Sequence, residues 1–126
     1  MKYMLFIKHT EDYRAQMPPR GLMDAMDTFV GIGLSSGALV DTAGLKATSQ
    51  AKKVRLQGGR LSVIDGPFTE SKEVIGGYAL IDVKSDQMAL DLATEFMELH
   101  RVHWPEFNGE CEMRPLEDFD APPGSA

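Results

Sequence analysis

A chain of 126 residues has the size of one domain, able to bury roughly two-thirds of the surface its unfolded form exposes. Its formal net charge of −6 argues against a phosphate backbone as partner. The single cysteine, Cys111, cannot close an internal disulfide, no apolar run nears the roughly 20 residues of a membrane helix, and the chain does not open on a basic segment followed by an apolar run, so a cytoplasmic protein without nucleic-acid or membrane partners is expected.

Residues 3–7 form a continuous apolar run of strand length, the pattern of a central strand covered on both faces. His9 stands where that strand ends, either solvated or facing a cleft. Pro18-Pro19 opens a helix, because proline is tolerated in the first turn; Leu22, Ala25, Met26, Phe29, Val30 and Gly33 share one face, and Asp24, Asp27 and Thr28 the other. Gly37 can take the left-handed cap position. Gly31 and Gly33 each weaken this helix by about 1 kcal/mol against alanine, so it relies on tertiary packing or uses the glycines for close approach. Residues 38–43 read as a second strand, interrupted by Asp41, which is either an edge carboxylate facing water or a site residue.

In residues 52–64 a Gly58-Gly59 turn predicts a hairpin. Pairing Gln57 with Arg60 puts Leu56 opposite Leu61 and Val54 opposite Val63 on one face, with Arg55 and Ser62 on the other. A one-residue slip would mix the faces. Residues 74–83 form a further strand bent at Gly76-Gly77, with Ala79, Ile81 and Val83 on one side and Tyr78, Leu80 and Asp82 on the other, both sides largely covered. Ser85 is a fitting N-cap with Asp86 in the first turn, opening a helix whose inner face is Ala89, Leu92, Ala93, Phe96, Leu99 and His100 and whose outer face carries Asp91, Glu95 and Glu98. Trp104-Pro105 stops that helix. Residues 110–115 supply a short last strand, and the apolar content then falls, so a domain over 1–118 with a mobile tail over 119–126 is expected.

Between the hairpin and the next strand lies DGPFTESKEVIGGY, residues 65–78. Pro67 fixes its own φ, lacks an N–H and drives Gly66 out of the helical region, so the chain turns there. Asp65, Glu70, Lys72 and Glu73 crowd charge around the single bulky apolar residue Phe68. The DGPF run, followed by Thr69-Glu70-Ser71-Lys72-Glu73 and Gly76-Gly77-Tyr78, resembles the signature of the YCII-related family in its DGPF-containing branch. The likeness extends from Lys2-Tyr3-Met4-Leu5 through Gly37-Ala38-Leu39 and Gly44-Leu45 to Glu112-Met113-Arg114-Pro115-Leu116. The resemblance implies a ferredoxin-like α+β domain that pairs as a dimeric α/β barrel, in a family whose activities are mostly unassigned. Some relatives resemble small enzymes with a His and Asp pair, and some are fused to alternative sigma factors. The order strand, helix, strand, hairpin, strand, helix, strand agrees with a split βαβ arrangement carrying an inserted β-hairpin.

No Gly-rich phosphate loop and no zinc spacing are present, so neither cofactor nor metal is expected. Three groupings remain. At the corner, a carboxylate beside Phe68 can have a raised pKa and act as acid or base, or Asp65 can order the turn by accepting backbone N–H groups, leaving Lys72 and Glu73 as the pocket-facing groups. His100 and His103, three apart at a helix end, can hold a metal with Glu106 or Cys111, or simply meet unpaired helix carbonyls. Either histidine can also pair with a corner acid, but the first helix has no histidine between Met17 and Gly37, so the dyad of enzymatic relatives does not carry over from there. The sequence thus predicts a ferredoxin-like homodimer with a cleft between the DGPF corner and the His100–Trp104 helix end. That cleft serves a small-molecule-binding or regulatory module, or alternatively an enzyme working by general acid/base chemistry on a small organic substrate.

Overall fold

The structure is a computed structural model that describes residues 1–10, 17–68 and 74–118. Its elements run β1 (Lys2–His9), α1 (Arg20–Ser36), β2 (Leu39–Gly44), a short 3₁₀ turn (Thr48–Gln50), β3 (Lys52–Gln57), β4 (Arg60–Asp65), β5 (Val74–Asp82), α2 (Asp86–His103) and β6 (Glu110–Pro115). Four strands form one antiparallel sheet in the order β2-β5-β1-β6, and β3-β4 form a separate two-stranded sheet. The fold is α+β, with two interleaved strand–helix–strand crossings, consistent with the ferredoxin-like expectation.

β1 is central, as its apolar run predicts, but only one of its faces is covered by helices. Tyr3, Leu5 and His9 are buried, whereas Met4, Phe6 and Lys8, which point the other way, are half-buried. Tyr3, Leu5, Leu39 and Ile81 meet Ala89 and Ala93 of α2, with Val30 of α1 packed against them. β5 likewise buries Ile81 on the helix side, while Tyr78 and Leu80 are half-buried and Asp82 is exposed on the far side. The expected bend at the glycine pair is a bulge: Ile7 pairs with Gly77 and Lys8 with Ile75, so Gly76 is the extra residue.

Helix ends follow from local chemistry. The Pro19 carbonyl accepts from the Leu22 and Met23 N–H groups, and Gly37 closes α1 at φ 81°. Ser85 Oγ accepts the Met88 N–H at the start of α2, and Trp104 caps its end. The two helix glycines differ: a Cβ on Gly33 would lie 2.9 Å from Leu39 Cβ, so α1 approaches β2 closely there, while a Cβ on Gly31 would meet nothing.

The hairpin register is the predicted one, with Leu56 opposite Leu61 and Val54 opposite Val63. Its apolar face, however, is uncovered: these four side chains are 66–72% exposed. Turn chemistry and alternation set which residues share a face; they do not supply anything to cover it.

Candidate functional site

Small residues make the space. Gly77, Ala79, Ala43 and Gly44 floor the sheet beneath α1 and α2, so Met26, Phe29 and Val30 of α1 and Leu92 and Phe96 of α2 are only half-buried. Between them lies a cavity of about 760 Å³, within the roughly 300–1,000 Å³ of small-molecule sites. At one end stands an aromatic cluster. Phe96 and His100 are 4.9 Å apart between ring centroids, His100 and Phe107 also 4.9 Å, Trp104 and Phe107 5.2 Å, and His9 and Phe107 6.2 Å.

His9 and His100 are both buried, at 8% and 7% exposure. The strand-end histidine is therefore not solvated; the two-residue period of β1 carries it to the same face as Tyr3 and Leu5. His100 Nδ1 lies 3.0 Å from the Phe96 carbonyl and His9 Nδ1 2.6 Å from the Thr10 carbonyl. A carbonyl only accepts, so each Nδ1 carries the proton and donates. Burial pushes the His100 pKa down, opposed by the bond to Phe96. The unfolded chain then binds the extra proton more readily. The stability due to neutral His100 is full above the ordinary histidine value of 6.5 and lost as pH falls below it. Urea unfolding between about pH 7 and 5 is expected to show a steeper loss of stability in the wild type than in His100→Gln.

The other sequence candidates fall elsewhere. Among the described residues Asp65 satisfies no turn N–H group: its carboxylate is exposed and paired with Lys52 across the hairpin. The turn is held instead by the Gly66 N–H on the Ala51 carbonyl, 2.9 Å, and the Phe68 N–H on Thr48 Oγ1, 3.3 Å, with Lys53 Nζ 4.0 Å above the half-buried Phe68 ring. Asp65→Ala is therefore expected to shift stability by less than about 1 kcal/mol, as for other exposed ion pairs, measured by urea denaturation. Glu70, Lys72 and Glu73 lie outside the described residues.

Residues 65–68 do not line the cavity; from that stretch Gly76, Gly77 and Tyr78 do, together with His100 and Trp104. The cleft is thus under the helices rather than at the DGPF corner, because residues 66 and 68 dock on the 3₁₀ turn. His103 diverges from His100 and packs at the start of α1, its Nδ1 3.2 Å from where a Cβ on Gly21 would sit. Cys111 lines the cavity as a thiol, its pKa pushed up to about 11 by burial. Glu106 is exposed and does not line the cavity. Among the described residues no three His, Cys, Asp or Glu side chains gather as a metal site. Asp41 is exposed on the edge strand and accepts the Tyr78 hydroxyl at 3.0 Å, an interaction that raises the Tyr78 pKa. Asp27 and Glu95, read as outward helix residues, reach the cavity rim, and Phe107 was given no role by sequence pattern.

The pattern of the YCII-related domain matches residues 1–96. The chain belongs to the YCII-related family. It is also 36% identical over 83 residues to an uncharacterized protein of Rhizobium meliloti (strain 1021), an alignment covering 66% of this chain and 63% of that relative. The YCII-related match holds β1 through most of α2, including His9 and the cavity floor, and ends before His100 and Trp104. No helix among the described residues is long and apolar enough to cross a membrane.

Proposed function

We propose that this YCII-related chain is a small-molecule-binding or regulatory module that takes one largely apolar organic molecule between its sheet and helices. The observation that carries this reading is the cavity of about 760 Å³ floored by glycine and alanine and walled by apolar side chains. Trp104, the single tryptophan, lines it and is 8% exposed, so its fluorescence reports on occupancy. Titration with apolar aromatic compounds is expected to give a saturable change that Ala79→Phe, which fills the floor, abolishes. Equal responses from wild type and Ala79→Phe, or none from either, would contradict it.

The contiguous Asp65-Gly66-Pro67-Phe68 run supports the DGPF-containing branch, and the dimeric α/β-barrel pairing of a domain over residues 1–118 is part of the same proposal. Its support is the sheet face turned away from the helices, where Met4, Phe6, Tyr78 and Leu80 are half-buried beside the charged row Lys8, Glu112 and Arg114. Light scattering at tens of micromolar is expected to give a dimer mass, and Phe6→Glu a monomer mass. A monomeric wild type would count against the pairing.

One observation favours an enzyme in the same cavity: His100, held neutral by burial, shares it with the carboxylates of Asp27 and Glu95, as general acid/base chemistry requires. A ligand recovered unchanged after incubation supports the binding module; one recovered chemically altered supports the enzyme.

A further inference from the structure

Among the described residues lining the cavity there is no lysine or arginine, and two carboxylates, Asp27 and Glu95, stand at its rim. The two aliphatic hydroxyls that line it are already spent within the protein. Ser36 Oγ donates to the Gly33 carbonyl at 3.1 Å and Thr42 Oγ1 to the Tyr78 carbonyl at 2.8 Å. His9 and His100 each commit Nδ1–H to a backbone carbonyl. What the His100 ring has left is Nε2, a lone-pair acceptor in a side chain 93% buried by its 7% exposure. It has no hydrogen-bond partner among the described residues. Burying an acceptor unpaired is costly, and a ligand that brings a donor recovers that cost, whereas a carboxylate or phosphate cannot donate to Nε2 and meets the rim carboxylates with no lysine or arginine to offset them. The Phe96, Trp104 and Phe107 rings beside His100 suit a flat aromatic body.

Resting on the binding function proposed above, we infer that the cavity takes aromatic molecules bearing a hydrogen-bond donor, such as a hydroxyl, directed at His100 Nε2, and rejects their anionic counterparts. Specificity then comes from the donor rather than from charge attraction. This site disfavours a carboxylate twice, through the donor that the carboxylate lacks and through repulsion by Asp27 and Glu95.

Isothermal titration of the full chain with naphthalene, 2-naphthol and 2-naphthoate separates the cases, since the three share one apolar body. The expected result is 2-naphthol binding about tenfold more tightly than naphthalene, the gain of one hydrogen bond, with 2-naphthoate weaker than both. His100→Phe is expected to bring 2-naphthol down to the affinity of naphthalene. Tightest binding by 2-naphthoate, or equal binding of 2-naphthol and naphthalene to the wild type, overturns this inference and leaves the cavity as an apolar binding site. Failure of all three compounds to bind sinks the binding function and this inference with it. The wild-type series decides the matter even where His100→Phe does not fold.

Discussion

Tyr3→Ala is expected to lower the unfolding free energy by about 3–5 kcal/mol, the range of a large aromatic removed from a packed core. Tyr3 is 1% exposed at the middle of the cluster formed by Leu5, Ile81, Val83, Ala89 and Ala93, and its hydroxyl donates to Asp86 in the first turn of α2. It therefore joins the central strand to the second helix twice, by packing and by a charge-assisted hydrogen bond. Tyr3→Phe separates the two, since it keeps the ring and removes only the bond, at about 1–3 kcal/mol. Urea denaturation with an unchanged slope measures both. A loss in Tyr3→Ala no larger than in Tyr3→Phe would mean that the ring contributes nothing, against its burial.

Gly66→Ala is expected to cost about 3 kcal/mol or more, the upper end of overpacking. A Cβ at that position would overlap the Thr48 carbonyl oxygen and lie 3.3 Å from that of Ala51. Both are backbone atoms of the turn on which the corner rests, and neither can swing aside. Gly31→Ala is the control, because a Cβ there meets nothing and the residue sits inside α1; a gain of up to about 1 kcal/mol is expected. Thermal unfolding midpoints moving in opposite directions for the two variants would bear this out, and equal midpoints would contradict it.

Much of the fold was legible because its signals are local. Gly58-Gly59 and the alternation on either side of it agree on one register, and Ser85, Gly37 and Trp104-Pro105 mark helix ends by their own chemistry. Burial was less legible, since it depends on what arrives from elsewhere. Val54, Leu56, Leu61 and Val63 share a face as expected and yet remain exposed. The site was least legible of all. Its floor combines Ala43, Gly44, Gly77 and Ala79 from two strands separated by a hairpin, its roof comes from both helices, and no window of sequence contains both. The DGPF corner drew attention by its density of charge, but Gly66 and Phe68 are used to dock the turn onto Thr48 and Ala51. His9 was within reach of sequence reasoning, by continuing the period from Tyr3 and Leu5 to the strand end.

Methyl-labelled protein titrated with 2-naphthol and followed by NMR tests the cavity most directly, because methyl groups line it and others stand exposed on the hairpin. Occupancy predicts shifts centred on the methyl groups of Ile7, Val30, Leu39, Ile81 and Leu92, all of which line the space between sheet and helices. Shifts confined to Val54, Leu56, Leu61 and Val63 on the exposed hairpin face, or no shifts at all, would contradict a ligand site beneath the helices.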